Sequence, residues 1–382
     1  MIHNSVSMAD IPRVVLTGGI SGGHTFPLIA VARTLRQQFA GDLELLFIGS
    51  RGRFESDAMA REDIPVRYVL TGKWRRYFSF QNLLDPFKVP LGFIQALWHL
   101  FFFMPDAVFA KGGSASVPVV LAAWIYRIPI LIHDSDAVAG RANRFLAHFA
   151  TRISIAYPGA HNFFPKDKTA LTGNPVREEI LSGDAARAVV QFRLSPEKPV
   201  ILVLGGSQGA QTLNEAILHI LPQLLEKNIQ VLHQTGSAHY EMIVAAVEAY
   251  GVKIGESGYT PVPFFEAAAL ADALAAATLV ISRAGAGSIA ELAATKKAAI
   301  LVPLESAAND EQRMNAYDVA ALGGALVLEE ANLGEHLLLE NIDKLLGDPG
   351  LRQTMGEKLH SFYHADAASQ IADGVRVLMQ KI

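Results

Sequence analysis

Apolar and polar residues are blocked along this chain in a repeating order. Short runs of Val, Ile, Leu, Phe and Ala are each followed by a longer stretch with apolar residues at helical spacing. The sharpest case is Val200–Leu204, five apolar residues that stop at Gly205-Gly206-Ser207-Gln208-Gly209 before a helix-compatible run from Ala210. That order reads as buried strand, tight turn, helix N-terminus. In the first half the pattern predicts strands at 13–16, 44–48, 66–70, 107–110, 130–132 and 152–155. Helices are expected near 25–39, 55–61, 81–103, 116–126 and 139–147. The second half predicts strands at 200–204, 229–233, 279–282, 299–302 and 325–328. Its helices are expected at 210–225, 240–250, 267–276, 288–295, 312–322 and 335–346, with a final helix over 365–381. Near-continuously apolar strands alternating with helices predict α/β architecture with parallel sheets covered on both faces.

A second glycine turn, TGGISGGH at 17–24, follows the first strand of the first half. Two strand–glycine turn–helix units, one heading each half, point to two similar doubly wound, Rossmann-like domains. The polar stretch 182–198, with Pro196 and Pro199, marks the boundary between them. Ligands of open α/β sheets bind at the carboxyl ends of strands, so the expected site is a cleft that both domains face.

The 382 residues suit two domains, and an apolar fraction of 51% against 18% charged supports full cores and excludes disorder. The most apolar segment, 91–104, is too short to span a bilayer and is interrupted by Gln95 and His99. The first residues lack the layout of a secretory signal. No cysteine is present, which removes disulfide and thiolate chemistry and fits a reducing cytoplasm. A net charge of −4 gives no nucleic-acid footprint.

Glycine turns before helices bring backbone N–H groups and a positive helix end to an anion, here a phosphate or diphosphate. The dinucleotide fingerprint needs glycines at i, i+2 and i+5, and neither turn has them. The triphosphate loop GxxxxGK[ST] fails at His24, which stands where the lysine belongs. A diphosphate cradle in a nucleotide-sugar enzyme is left, beside the plainer reading that the glycines only make tight turns.

Seven stretches then fall into one pattern: TGGISGGHTFP (17–27), KGGSASVP (111–118), HDSDAVAGRANR (133–144), TGNPVR (172–177), LGGSQGAQTLN (204–214), SRAGAGSIAEL (282–292) and DEQRMNA (310–316). In this order the chain resembles the MurG-type enzymes, membrane-associated N-acetylglucosaminyltransferases of peptidoglycan synthesis with the two-domain GT-B fold. The resemblance implies inverting transfer of N-acetylglucosamine from its uridine diphosphate carrier to the C4 hydroxyl of undecaprenyl-diphospho-N-acetylmuramoyl-pentapeptide (lipid I to lipid II). It implies an acceptor- and membrane-binding domain over 1–180, a UDP-sugar domain over 181–360, and a C-terminal helix at 361–382 that crosses back to the first. Where the family has a third glycine and a threonine, this chain has Ile20 and Ser21. The family's HEQN run is His133-Asp134-Ser135-Asp136, and its histidine before Gln312 is Glu311.

Such a transfer needs a base for the acceptor hydroxyl, stabilisation of the leaving diphosphate, and an acceptor on the far face of the donor sugar. No cluster has metal-ligand spacing, and the family works without a bound metal or cofactor. The leaving charge therefore falls to backbone N–H groups and helix ends. Gly206, Ser207 and Gln208 form one wall, and Ala286, Gly287 and Ser288 open a helix that forms another. By resemblance Glu291 holds the ribose hydroxyls; its plainer reading is a capping box with Ser288. Also by resemblance Arg177 contacts the nucleotide, Gln312 reads the donor sugar's hydroxyls, and the loop at Phe265 packs against uracil. Ser21, Gly22, Gly23 and Asp136 are assigned to the acceptor diphosphate. The base is His24, whose place at a helix N-terminus favours the neutral ring, or Asp134 after the strand at 130–132. A neutral His24 donating to the acceptor diphosphate is a rival role.

A lipid-linked acceptor implies a peripheral enzyme on the cytoplasmic face of the plasma membrane. Trp74, Arg75, Arg76 and Phe78, with the run that follows, suit an anionic membrane surface; a buried amphipathic helix with a solvated basic loop is the alternative. Cell-wall synthesis proteins are further candidate partners, and nucleic acid is not. Two other functions stay open: a GT-B transferase for a different lipid or sugar, and a catalytically weak nucleotide-sugar or lipid-diphosphate binding protein, suggested by Ile20, Asp134 and Asp136.

Overall fold

The computed structural model describes residues 11–19, 22–72, 81–206, 209–305 and 307–380. The chain divides into two compact units, each built on its own parallel sheet. The first takes the described residues of Met1–Ser135, Ala139–Pro175 and Asp366–Ile382, and the second those of Asp136–Val138 and Val176–Ala365.

In the first unit the elements run β1 (Arg13–Thr17), α1 (Gly22–Gln38), β2 (Glu44–Gly49), α2 (Arg53–Arg61), β3 (Val66–Tyr68), α3 (Gln81–Phe103), β4 (Ala107–Ala110), α4 (Ser116–Ile125), β5 (Ile130–Asp134), α5 (Arg141–Leu146), β6 (Arg152–Ile155) and β7 (Thr169–Leu171). Among the described residues the sheet order is β3-β2-β1-β4-β5-β6-β7. Every pairing is parallel, with Val14 opposite Ala107 and Thr17 opposite Ala110 where β1 meets β4. The strands are apolar on both faces because helices cover both. Val14 and Leu16 face a layer containing Leu28, Val31 and Leu35 of α1, while Val15 faces the layer of Ala96 and Leu100 from α3.

The second unit contains α6 (Ala185–Phe192), β8 (Val200–Leu204), α7 (Gln211–Glu226), β9 (Gln230–Gln234), α8 (Tyr240–Ala249), β10 (Tyr259–Val262), α9 (Ala267–Ala276), β11 (Leu279–Ser282), α10 (Ala286–Ala294), β12 (Ala299–Leu301), α11 (Glu311–Ala321), β13 (Leu326–Val327), α12 (Glu335–Gly347) and α13 (Pro349–His360). Its sheet order is β10-β9-β8-β11-β12-β13, again parallel. Alternate residues of β8 feed opposite layers: Ile201 and Val203 into one, Val200, Leu202 and Leu204 into the other. The last helix, α14 (Ala367–Met379), packs on α1 in the first unit through Ile371, Ala372, Val375 and Leu378.

Most elements lie within a few residues of the periodicity's expectation. Four were not anticipated. β10 carries Pro261, which argues against a strand, but β10 is an edge strand, where a missing N–H costs no ladder bond. β7 is three residues long, also at an edge. α6 falls in the stretch that reads as a polar linker; Asp184 caps it, accepting from the N–H groups of Ala186 and Arg187. α13 starts with Asp348 as N-cap and Pro349 in its first turn.

Candidate active site

In each sheet the chain order reverses between two neighbouring strands, β1 and β4 in the first unit, β8 and β11 in the second. Connections leave these strands toward opposite sides, opening a crevice at their carboxyl ends. Both glycine turns follow the first strand of such a pair, so the topology puts them where ligands of this fold class bind.

In the first unit Gly18 and Gly19 leave β1, and Gly22, Gly23 and His24 open α1. Ser21, with its neighbour Ile20, lies outside the described residues. The His24 ring rests against Gly19: a Cβ there would stand 2.8 Å from Cδ2 and 3.0 Å from Nε2. His24 Nδ1 lies 3.3 Å from the Lys111 carbonyl. A carbonyl only accepts, so Nδ1 carries the proton and Nε2 holds the lone pair. Burial first, and the Lys111 charge second, push the His24 pKa down to about 4, against the raising effect of the carbonyl contact. The ring is neutral at pH 7 and can accept a proton at Nε2. A neutral ring in this tautomer has no Nε2–H to donate to a diphosphate.

Asp134, at the end of β5, is buried and its Oδ2 accepts from the Gly140 N–H at 3.1 Å and Asn143 Nδ2 at 2.9 Å. Its carboxylate thus fastens the loop into α5. His133 beside it is fully buried, donates from Nε2 to the Gly173 carbonyl at 3.0 Å, and is held neutral by burial and then by Lys111. Asp136 falls in the second unit, and its Oδ1 accepts from buried Asn315 Nδ2 at 2.8 Å.

In the second unit Gly206 adopts φ +83° at the turn after β8, a conformation that favours glycine, and the space where a Cβ would stand is open. Gln234, at the end of β9, ties this turn down: Nε2 donates to the Gly206 carbonyl at 2.9 Å, and Oε1 accepts from the Phe265 N–H at 3.2 Å. The Phe265 ring is buried in the core, edge-on to Phe192, so its loop offers backbone and Phe264 rather than the Phe265 ring. Ser207 and Gln208 lie outside the described residues.

Gly285 is the N-cap of α10, and Ala286, Gly287 and Ser288 form its first turn, where N–H groups lack helical partners. Ser288 is therefore inside the helix, and no capping box with Glu291 exists. Glu291 instead pairs with Arg177, which donates from Nε at 3.0 Å and Nη2 at 2.7 Å. Gln312 opens α11 and accepts the Leu304 N–H at 3.1 Å.

Two buried residues of these crevices escaped the sequence reading. Lys111 and Arg283 each follow the second strand of a switch point, at 2% and 6% exposure. Arg283 is neutralised by Glu330 at 2.5 Å. The available signal was a cation directly after an apolar strand and before small residues.

Two parallel-sheet units with glycine turns at their switch points are the architecture of the GT-B fold. Residues 14–155 match the glycosyltransferase family 28 N-terminal domain, and residues 200–371 the family 28 C-terminal domain. The UDP-N-acetylglucosamine--N-acetylmuramyl-(pentapeptide) pyrophosphoryl-undecaprenol N-acetylglucosamine transferase 2 of Bacillus anthracis is 36% identical over 87% of this chain and 91% of its own. The correspondingly named transferase of Treponema pallidum is 35% identical over 98% of both chains. The crystal structure of Acinetobacter baumannii MurG superposes with a TM-score of 0.74 at 27% identity, covering 96% of this chain and 99% of that one. The chain belongs to glycosyltransferase family 28, among its MurG-type members.

Proposed function

We propose that this protein transfers N-acetylglucosamine from UDP-N-acetylglucosamine to undecaprenyl-diphospho-N-acetylmuramoyl-pentapeptide, at the C4 hydroxyl and with inversion. The reading is carried by one observation: the likeness to transferases named for that reaction runs over 98% of the chain and takes in both glycine turns. The first unit takes the acceptor and the second takes the nucleotide sugar.

His24 Nε2 accepts the proton of the acceptor hydroxyl as its oxygen attacks the anomeric carbon. The tautomer set by Lys111 supports this role over the donor role. The two donors on Asp134 Oδ2 favour His24 over Asp134. The bond from the anomeric carbon to the diphosphate breaks, and UDP leaves with the electron pair. The N–H groups of Gly287 and Ser288 in the first turn of α10, with Gly206, Ser207 and Gln208, meet that charge. Glu291 accepts from the ribose hydroxyls, oriented by Arg177, and Gln312 reads the sugar. Gly22 and Gly23, at the start of α1, meet the acceptor diphosphate together with Ser21.

Among the described residues no helix is long and apolar enough to cross a membrane. One face of the first unit suits peripheral docking. α3 buries Ala96 and Leu100 but exposes Ile94, Trp98, Phe101 and Phe102, each 60% or more. α4 packs on α3 and α5 on α4, adding exposed Trp124 and Phe145, with Arg127 and Arg144 nearby in sequence. Interleaved aromatics and cations fit an anionic interface. The Trp74, Arg75, Arg76 and Phe78 set assigned to the same surface lies outside the described residues.

Incubating the full chain with labelled UDP-N-acetylglucosamine and a lipid-diphosphate acceptor tests the reading. Transfer of label to the acceptor is expected. Binding of the nucleotide sugar without transfer would instead favour a nucleotide-sugar binding protein.

A further inference from the structure

Lys111 is tied into the first unit through its N–H, its carbonyl and its ammonium. Its N–H donates to the Thr17 carbonyl at 2.8 Å, continuing the β1–β4 ladder, and its own carbonyl accepts from His24 Nδ1. Its ammonium donates to Ser135 Oγ, which in turn donates to Asn174 Oδ1 at 2.9 Å. One buried lysine thus joins the end of β1, the start of α1, the end of β5 and the segment after β7. Gly112 and Gly113 follow at φ +89° and +85°, and a Cβ on Gly113 would stand 2.7 Å from Gly19 Cα. The turn after β4 therefore closes directly on the turn after β1, and the His24 ring lies against both.

We propose that Lys111 is the positioning residue of His24: its carbonyl fixes the ring's tautomer, and its ammonium, clamped by Ser135 and Asn174, holds that carbonyl in place. The proposal rests on the reading of His24 as the proton acceptor. A free imidazole shares its proton between two nitrogens; a fixed Nδ1–H leaves the lone pair on Nε2 in every neutral molecule. The ammonium has a second effect. Its charge disfavours an imidazolium next to it, adding to burial in keeping the ring neutral. Among the described residues of the turn after β1, Gly18 and Gly19 lie against the ring and carry no charge. Behind Lys111, β5 brings His133, itself neutral, and Asp134, which is occupied by Gly140 and Asn143.

The test is a pH titration by NMR of the full chain labelled with 15N-histidine, as wild type, Lys111→Met and Lys111→Arg. His24→Ala assigns the resonances. In the wild type, Nε2 is unprotonated at neutral pH and the ring titrates near pH 4. In Lys111→Met the carbonyl is no longer held, so an Nε2–H tautomer becomes populated at neutral pH, and loss of the charge moves the titration and the acid limb of kcat/KM upward; Lys111→Arg, which keeps the charge, stays with the wild type. A proton still wholly on Nδ1 in Lys111→Met, or an Nε2–H tautomer in the wild type, overturns the proposal. If Lys111→Met does not fold, Lys111→Gln replaces it with the same expectation. Failure of the underlying reading looks different: the titrations behave as expected, but His24→Ala keeps its turnover.

Discussion

Arg177 directs both Nε and Nη2 to the same oxygen of Glu291, Oε1, at 3.0 and 2.7 Å. The two side chains are 10% and 15% exposed, so the pair is largely withdrawn from water. Removing one partner strands a charge that the fold has desolvated. Arg177→Ala is expected to lower unfolding stability by roughly 2–4 kcal/mol, read by urea denaturation, and Arg177→Ala/Glu291→Ala to lose less than the single variant. Glu291→Gln keeps the shape but weakens an acceptor of hydroxyl protons. Its KM for UDP-N-acetylglucosamine should rise about tenfold, with a smaller change in the acceptor's KM. Equal changes in both would speak against a ribose role.

Gly287 gives a cleaner separation of fold from function. Apart from its chain neighbours and its own helix's backbone, no atom of the described residues lies within 4 Å of the Cβ it lacks, and it stands in the first turn of a helix. Packing does not demand glycine there. Gly287→Ala should hold or raise stability, by about 0.5 kcal/mol, while weakening nucleotide-sugar binding, because the methyl group occupies the approach to the N–H groups. Calorimetry with UDP and a melting curve on the same sample check both halves. Unaltered UDP affinity would remove α10 from the donor site.

Three histidines are folded in their neutral form, and this gives the protein an acid-labile side. Burial, with Lys111, pushes His24 down to about 4; burial alone takes His233 to about 3; His133 lies well below its usual value. For each, the folded-state pKa is below the unfolded value near 6.5. The unfolded chain therefore binds protons first as pH falls. Stability is fully present above about pH 6.5 and declines toward pH 4, by up to about 1.4 kcal/mol per pH unit for each histidine. Melting temperatures measured across that window should fall steeply. A flat profile between pH 6.5 and 4 would show that the rings are charged in the folded protein.

The aromatic face of α3 predicts a split between two assays. Trp98→Ser/Phe101→Ser/Phe102→Ser removes exposed rings, two of which, Trp98 and Phe102, touch at 4.6 Å. Partition onto anionic vesicles should fall roughly tenfold or more. Turnover with a water-soluble short-chain acceptor should stay near the wild type. Loss of both activities together would place these rings in folding rather than docking.

The strands and helices of both sheets were legible because a sheet covered on both sides must be apolar on both sides, and Val200–Leu204 shows this without ambiguity. β10 was hidden by Pro261, whose tolerance at an edge depends on a strand order that no local pattern reports. α6 was hidden by its polar surroundings, although Asp184 supplied the capping signal. At the site, the glycine turns could be read from spacing, while α10 opens at Ala286, two residues before the expected 288. What could not be read is which side chains share a partner. Glu291 fits a capping box in sequence, but α10 begins at Ala286, so the cap position falls on Gly285 and the carboxylate is left for Arg177. Lys111 and Gln234 act through backbone groups far along the chain, and such contacts leave no periodic trace.

The packing of α14 on α1 has a consequence for the order of events on the ribosome. Leu28, Val31 and Leu35 share one buried layer with Ile371, Ala372, Val375 and Leu378. The residues of α1 emerge early, but the helix that completes this layer is translated only after the whole stretch Val176–Ala365, which belongs to the other unit. The first unit must therefore wait, with an apolar strip uncovered, while the second is made and is free to fold. The half of the protein synthesised first is the half that is finished last.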